Sequence, residues 1–293
     1  MLKTYPNFFI IGAPKTGTTS IYNFLINHPN VYISKPKGPH YFSKDIVTSE
    51  QIRSKDDYQK LFKKAKKKHI AIGEASVLYL FSKNAIENIS KELPESKIIV
   101  VLRNPVEVIQ SWHAELVWGR LEKNEDIEIA WDKNIELQKN GTLKDHRLEY
   151  HNIARYGLQI DVLFKYFPKN QVKIIYYEEY SKSTKRTYNS LLKFLNIPED
   201  YREQFEHKNQ FKRYRIKWLQ TILVNPPSFI ITTKKLLKIN RFGMYKILLR
   251  MNTFSPNKPT LSNEFKKKII KNYYHDTIKL SKILNKNFID SWY

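Results

Sequence analysis

A glycine-rich loop near the start of the chain, GAPKTGTTS at residues 12–20, has the composition of a phosphate-binding site. A short apolar run precedes it and a helical pattern follows it. The template for nucleoside triphosphates is G-x-x-x-x-G-K-[ST], and both glycines and the final Thr19 match it. Thr18, however, occupies the template's lysine position, and the lysine lies inside the loop as Lys15. The loop therefore predicts a phosphate ligand other than a triphosphate.

An arginine follows the clearest buried strand of the sequence, SKIIVVLRNP at residues 96–105. In a triphosphate site the neighbouring strand ends in an aspartate that holds Mg²⁺. Here the strand ends in Arg103, whose planar guanidinium suits an oxyanion. Ser111 lies about two helical turns further along and could reach the same anion. We therefore predict a site that contains no metal and meets its anionic ligand with side-chain cations.

A donor with two separate anionic ends fits these two elements. 3′-Phosphoadenosine-5′-phosphosulfate would place its 5′-phosphate at the N–H groups and positive dipole end of the helix that starts near Thr18. Lys15 would lie near the oxygen that bridges phosphate and sulfate, where charge develops as the sulfuryl group leaves. The 3′-phosphorylated nucleotide PAP would be the product. The predicted donor contacts are Lys15, Thr16, Gly17, Thr18, Thr19, Ser20, Arg103 and Ser111.

Apolar runs alternate with helical patterns along the chain, which predicts an α/β fold with a doubly wound parallel sheet. The predicted strands are 7–12, 69–76, 96–105 and 172–180. Ligands of such sheets bind beyond the carboxyl ends of the strands, so the loop, Glu74 and Arg103 should share one edge. We expect a single domain over residues 1–293, with a basic, apolar helical insertion at about 213–255.

The loop and the arginine element together resemble the PAPS-dependent sulfotransferase family, in its heparan-sulfate-type and bacterial carbohydrate branch. GAPKTGTTS resembles the family's 5′-phosphosulfate loop, and VVLRNPVEVIQSWH (100–113) its 3′-phosphate element. The resemblance covers roughly 5–114, 150–197 and 258–292. It implies a P-loop-like three-layer sandwich, with a central parallel sheet flanked by helices. It also implies transfer of a sulfuryl group to an acceptor hydroxyl, which for this branch belongs to a carbohydrate or glycoconjugate.

The chain departs from this branch at the residue that usually serves as the general base. That glutamate lies in a K-E-P-H-F-F-like segment, which here reads KPKGPHYF, with Gly38 at the glutamate position. His40, Glu74 and His113 are three possible substitutes, because each type of side chain can accept a proton. A fourth interpretation is a protein without catalytic activity. The predicted catalytic residues are Lys15, His40 and Glu74.

The composition agrees with a soluble protein that binds anions. The formal net charge is +23 and there is no cysteine, which excludes disulfides, thiolate metal sites and cysteine nucleophiles. The N-terminal sequence shows no targeting signal, so we expect a cytoplasmic protein. The segment 216–252 is apolar and cationic; it either packs on the core or makes peripheral contact with a membrane.

Three other functions remain open from the sequence. A kinase with an unusual loop would need Mg²⁺ and a carboxylate ligand, which the position of Arg103 disfavours. A nucleic-acid-binding protein is disfavoured because the positive charge is spread along the chain without a known binding motif, so we expect no nucleic-acid partner. A sulfotransferase fold that only binds its ligands is the third, since a fold does not guarantee an activity.

Overall fold

The computed structural model describes residues 5–46, 48, 51–143, 145–205, 211–224, 226 and 242–293. These residues form a five-stranded parallel sheet with the order β2-β3-β1-β4-β5. The strands are β1 (Phe8–Gly12), β2 (Val31–Ile33), β3 (Ala71–Ala75), β4 (Lys97–Leu102) and β5 (Val172–Tyr176). Helices cover both faces of the sheet, and the prediction of an α/β fold with a central parallel sheet is confirmed.

The strands are apolar because both faces of the sheet are buried. In β1, Phe9 and Ile11 belong to the core on one face, whereas Phe8 and Ile10 belong to the core on the other. The sheet therefore divides the apolar interior of the described residues into two cores.

Six of the helices cover the sheet. Helices α1 (Thr18–Ile26) and α8 (Thr184–Leu195) cover one face. The other face is covered by α3 (Ala85–Glu92), α4 (Pro105–Trp118), α6 (Tyr156–Tyr166) and α11 (Asn263–Leu284). Further helices are α2 (Lys55–Lys60), α5 (Ile127–Lys139), α7 (Tyr177–Lys182), α9 (Lys217–Val224), α10 (Phe242–Asn252) and α12 (Ile289–Trp292). Because α1 and α4 follow the neighbouring strands β1 and β4 but lie on opposite faces, a crevice opens between them at the carboxyl ends of the strands.

Local sequence sets the boundaries of the helices around this crevice. Asn104 caps α4, because its side chain accepts a hydrogen bond of 2.9 Å from the N–H of Val106, and proline suits the first helical turn. Ser262 caps α11 in the same way. One predicted element is wrong in part: the predicted strand 172–180 ends at Tyr176, and the chain continues directly as helix α7.

A short antiparallel ribbon brackets the predicted insertion at 213–255. Strand β6 (Arg213–Tyr214) pairs with β7 (Thr253–Phe254), and helices α9 and α10 lie between them in the sequence. Residues 225 and 227–241 of this segment are outside the described residues. Of the helices that the structure describes, none combines the length and the apolar composition needed to traverse a bilayer.

Candidate functional site

A cleft of about 550 Å³ opens at the carboxyl ends of the central strands. Its walls are formed by the loop after β1, residues 37–40, Arg103 after β4 and one side of α4. The polar and charged residues that line it are Lys15, Thr18, Thr19, Lys37, His40, Arg103, Ser111, Glu115, Lys212 and Lys258, beside the glycines Gly17 and Gly38. Among these described residues the cations outnumber the anions, which favours an anionic ligand.

The glycine-rich loop leaves the start of α1 open towards the cleft. Gly17 precedes the helix with a φ of 88°, a left-handed conformation that favours glycine, and no side chain caps the first turn. A Cβ at this glycine would lie 3.1 Å from the ring of Tyr177. The first-turn N–H groups and the dipole of α1 are therefore suited to bind an anion.

Two of the predicted loop residues do not line the cleft. Thr16 is buried, and its hydroxyl donates a hydrogen bond of 2.7 Å to the carbonyl of Ala13. Ser20 is also fully buried. Both side chains lie in the interior, and the hydrogen bond of the Thr16 hydroxyl stabilises the loop conformation. Direct contact with a ligand in the cleft is therefore restricted to the remaining predicted loop residues.

Lys15 forms an ion pair that the sequence did not predict. Its Nζ lies 2.9 Å from Oε2 of Glu115, which comes from the last turns of α4. Burial alone would raise the pKa of Glu115, but the charge and hydrogen bond of Lys15, with the charges of Lys212 and Lys37, hold it below its usual value. The Glu115 carboxylate is therefore ionised at neutral pH.

Lys37 lies beside this ion pair. Its Nζ donates a hydrogen bond of 2.8 Å to Oγ1 of Thr19 in the first turn of α1. Burial lowers the pKa of Lys37 to about 8, and the nearby charge of Lys15 adds to this effect. The two lysines thus lie close enough to repel each other, as expected of cations that share one anionic ligand.

Arg103 connects the loop with α4. Its guanidinium donates to the carbonyl oxygen of Lys15 at 3.2 Å and to Oε2 of Glu107 at 3.2 Å, and it lies 4.1 Å from the ring centroid of Tyr177. Lys258 donates to the same Glu107 oxygen at 2.5 Å. These contacts hold a second cationic centre in the cleft, consisting of Arg103 and Lys258.

Ser111 lies beside this second centre on α4. Its hydroxyl donates to the carbonyl of Glu107 at 2.8 Å, and the residue lines the cleft together with Arg103. The structure therefore brings the predicted pair of arginine and serine into one cleft with Lys15.

His40 lines the cleft and comes from the segment between β2 and α2. The residue is 8% exposed, and its backbone N–H donates to Oγ of Ser76 at 3.0 Å. Burial lowers the pKa of His40 to about 4, with further effects from the charges of Arg147 and Lys37. A Cβ built on Gly38 would lie 3.2 Å from Nε2 of His40. The imidazole therefore lies next to the point where a side chain at position 38 would begin.

Glu74 lies outside the cleft, contrary to the expectation that it would face the shared edge. It is 0% exposed in β3, it is not among the residues that line the cleft, and its Oε2 accepts a hydrogen bond of 2.5 Å from Tyr58. Burial raises the pKa of Glu74 to about 7. An acceptor in the cleft does not reach this carboxyl, so the geometry does not support its role as a base.

His113 also lies outside the cleft. Its Nδ1 is 2.9 Å from the hydroxyl of Tyr150, and its Nε2 is 3.2 Å from the carbonyl of Glu125. Both ring nitrogens are engaged within the protein, and the residue is buried. This histidine therefore has a structural role in α4.

Sequence reasoning missed three charged residues of the cleft: Glu115, Lys212 and Lys258. One signal was available for Glu115, because it lies four residues after Ser111 and therefore on the same side of a helix. Lys212 had no such signal, since it lies far from the motifs in the sequence. Lys258 begins the segment 258–292 of the family resemblance, but its place in the cleft depends on tertiary packing.

The family model described as "Sulfotransferase domain" matches residues 5–229. The chain belongs to the sulfotransferase family. It is 26% identical to a bifunctional heparan sulfate N-deacetylase/N-sulfotransferase 1 of Caenorhabditis briggsae, over 67% of this chain and 23% of that protein. It is 28% identical to carbohydrate sulfotransferase 15 of Mus musculus, over 67% of this chain and 44% of that protein. The chain thus spans less than half the length of these two relatives.

A solved structure shares the fold of this sulfotransferase-family chain over nearly its whole length. The sulfotransferase from Alicyclobacillus acidocaldarius superimposes with a TM-score of 0.72 and 22% sequence identity, and the alignment covers 98% of both chains. At this identity the similarity shows the common fold. It agrees with the parallel sheet and the flanking helices described above.

Proposed function

We propose that this protein transfers a sulfuryl group from 3′-phosphoadenosine-5′-phosphosulfate to a hydroxyl group of a carbohydrate or glycoconjugate. The observation that carries the proposal is the presence of two cationic centres in one cleft. Lys15 and the open start of α1 form the first, and Arg103, Ser111 and Lys258 form the second. Two centres of this kind match a nucleotide with one anionic group at each end of its ribose.

The residues of the first centre are suited to the leaving group. Lys15 and the N–H groups of α1 would stabilise the charge that develops on the 5′-phosphate as the sulfur–oxygen bond breaks. Lys37 adds a further cation at the same place. In this proposal the transfer is an in-line displacement on sulfur, in which positioning and electrostatic stabilisation supply most of the catalysis.

The second centre would bind the 3′-phosphate. The Arg103 guanidinium is planar, and its contact with the Tyr177 ring restricts its orientation, which favours binding of an oxyanion. Because this arginine takes the place of a magnesium-binding carboxylate, we propose that the reaction uses no metal. The same feature disfavours a kinase.

A carbohydrate acceptor is supported by the relatives, whose names describe action on carbohydrate and heparan sulfate. His40, Lys37 and Lys212 also line the cleft and do not belong to the second centre. We propose that His40 contacts the acceptor hydroxyl there. An absence of nucleic-acid partners and a cytoplasmic location both stay predictions.

Peripheral contact with a membrane through 216–252 stays a prediction. In the described part of this segment, Trp218 and Ile222 of α9 and Ile247 and Met251 of α10 are exposed, as is Arg250 of α10. Exposed apolar side chains with cations at their edge suit the surface of an anionic membrane. Co-sedimentation with anionic and neutral vesicles, compared between the native protein and Trp218→Ser, tests this contact.

Two measurements test the proposed function. Calorimetric titration should show that PAP binds more tightly than ADP, and that Arg103→Ala weakens PAP binding. Radiolabelled donor offered with a panel of neutral and acidic oligosaccharides should then give labelled product. Absence of PAP binding would refute the proposal, whereas PAP binding without any transfer would favour a protein that binds its ligands but does not catalyse. Magnesium-dependent ATP turnover would favour the kinase.

A further inference from the structure

Glu115 supplies a carboxylate that the established motifs do not explain. Of the described residues that line the cleft, it is the one acidic side chain. The other acids near the cleft are engaged elsewhere: Glu107 binds Arg103 and Lys258, and Glu74 is enclosed in the core. The side chain of Glu115 is 36% exposed, so a ligand in the cleft can reach it.

The position of Glu115 is defined by Lys15. The two groups lie 2.9 Å apart, and Lys15 is the residue that marks the bond to be broken in the proposed function. If Lys15 contacts the bridging oxygen of the donor, as the proposed function requires, a carboxylate oxygen at hydrogen-bond distance from this ammonium would lie near both the reacting sulfur and the attacking oxygen. A base must be within such reach of the proton that it takes.

Lys37 lies close to both Glu115 and His40. The charge of Lys37 acts on the carboxylate of Glu115 and on the imidazole of His40, and all three residues line the cleft. An acceptor hydroxyl that approaches the ammonium group of Lys15 would therefore be near both the Glu115 carboxylate and the His40 imidazole.

We propose that Glu115 is the general base of the transfer and replaces the carboxylate that is absent at Gly38. This rests on the proposed function. The acceptor oxygen forms a bond to sulfur, and the bond between sulfur and the bridging oxygen breaks. The electron pair of that bond remains on the 5′-phosphate beside Lys15, and the proton of the acceptor hydroxyl moves to the Glu115 carboxylate.

His40 is less suited to this proton. Its protonation would create a buried cation close to Lys37 and Arg147, which is electrostatically unfavourable. A neutral imidazole can still orient the acceptor hydroxyl through a hydrogen bond. Protonation of Glu115 instead produces a neutral carboxylic acid. The charge of Lys15 lowers the pKa of Glu115 before the reaction, and this effect would weaken as Lys15 pairs with the departing phosphate.

The test compares Glu115→Gln with the native protein. The amide is isosteric and its oxygen can still accept the hydrogen bond from Lys15, but it cannot take a proton. We expect turnover to fall about 100-fold or more, the range of a lost general base, while PAP binding stays equal or becomes tighter. Turnover is measured with the best acceptor of the oligosaccharide panel and with water as acceptor, by release of PAP.

Three further variants separate catalysis from positioning. Glu87→Gln is a matched control, because Glu87 pairs with Lys91 outside the cleft, and it should leave turnover unchanged. Glu115→Asp should retain part of the activity. Addition of formate should restore part of the turnover of Glu115→Ala, which a purely structural role would not permit.

The outcomes are distinct. Native turnover in Glu115→Gln, together with loss of turnover in His40→Ala, would overturn the proposal and assign the proton to His40. Loss of PAP binding in Glu115→Gln would also overturn it and show that the carboxylate only holds Lys15. Absence of PAP binding by the native protein would instead refute the proposed function, and the base with it.

Discussion

The two ends of the cleft are built in different ways. At the proposed donor end, Lys15, Gly17 and Thr18 come from one continuous loop, and Arg103 with Ser111 comes from one strand–helix junction. Lys258 is the exception there, because tertiary packing brings it to Glu107. At the proposed acceptor end, His40, Lys212 and Glu115 come from three separate parts of the chain. Apart from Lys258, the proposed donor end is thus defined by local sequence, whereas the proposed acceptor end depends on how distant elements pack.

This difference matches the chemistry required at each end. Every donor molecule presents the same two anions, so backbone N–H groups and a few cations at fixed spacing are sufficient. Acceptors differ in shape and in the hydroxyl that reacts, and their proton needs a single side chain at the right distance. In the proposed function, glycine at position 38 would therefore leave the donor end intact while the base lies on another element.

Among the substitutions at the two ends of the cleft, Lys15→Ala should have the largest effect on turnover. Loss of a preorganised cation beside the leaving group should reduce turnover by roughly 10²–10³-fold. PAP binding should weaken by about tenfold, because α1 and Arg103 still hold the nucleotide. Turnover is measured with radiolabelled donor, and Lys64→Ala, an exposed lysine outside the cleft, is the control. Equal turnover in Lys15→Ala and the control would place the leaving group elsewhere.

Glu74, which is buried beside the cleft, should affect the pH dependence of stability and not turnover. Burial raises its pKa from 4.5 to about 7, so the folded state binds a proton that the unfolded state releases. The stabilisation of the folded state by this bound proton is fully present below pH 4.5, and it is lost as the pH rises through about 7. Unfolding free energy should therefore fall by about 3 kcal/mol across this range.

The variant Glu74→Gln should lose this pH dependence and keep normal donor binding and turnover. Urea unfolding at a series of pH values measures the first effect, and the radiolabel assay measures the second. A loss of turnover in a fully folded Glu74→Gln protein would show that Glu74 takes part in catalysis and would make it a candidate for the general base.

The sheet, and the placement of Lys15, Arg103 and Ser111 in one cleft, were predictable because both depend on local patterns. The buried strand before Arg103, the cap at Asn104 and the loop at 12–20 are each encoded within a few residues. The helix after Tyr176 was missed because Tyr177 directly continues the apolar and aromatic run of the strand.

The side-chain directions at the acceptor end were not predictable in the same way. Glu74 ends a strand near the correct edge, but the alternation of side chains in a strand directs it into the core, beside Tyr58. His113 is only two residues from Ser111, yet this spacing places it on another side of α4, against Tyr150. Glu115 lies four residues from Ser111 and faces the cleft.

Arg103→Ala should have a smaller effect than the loss of Lys15, and a different one. It removes a charged hydrogen-bonding group from the second centre, which should weaken PAP binding by about ten- to a hundredfold. Arg103→Lys keeps the charge but loses the planar fork and should recover only part of the affinity. Titration with PAP and with adenosine 5′-phosphate, which lacks the 3′-phosphate, measures the effect. An equal loss of affinity for both ligands would contradict contact with the 3′-phosphate.

Gly38→Ala, next to His40, should have the smallest effect, and this effect should be on stability. Gly38 has a φ of 80°, and an added Cβ would lie 3.2 Å from Nε2 of His40. We expect the variant to lose about 1 kcal/mol of stability, because a side chain is disfavoured in this left-handed conformation. Thermal unfolding measures this loss, and Gly141→Ala, with a φ of 65° and no atom near its Cβ, separates the backbone cost from the contact with His40.

Gly38→Glu then asks whether position 38 can again provide a base. The strained backbone and the adjacent imidazole leave a longer side chain little room to reach the acceptor hydroxyl, so the double variant Gly38→Glu with Glu115→Gln should stay inactive. Recovery of turnover in this double variant, measured with the same labelled donor, would show that the segment around His40 adapts. The location of the base would then depend on which residue carries the carboxylate and not on how the cleft is built.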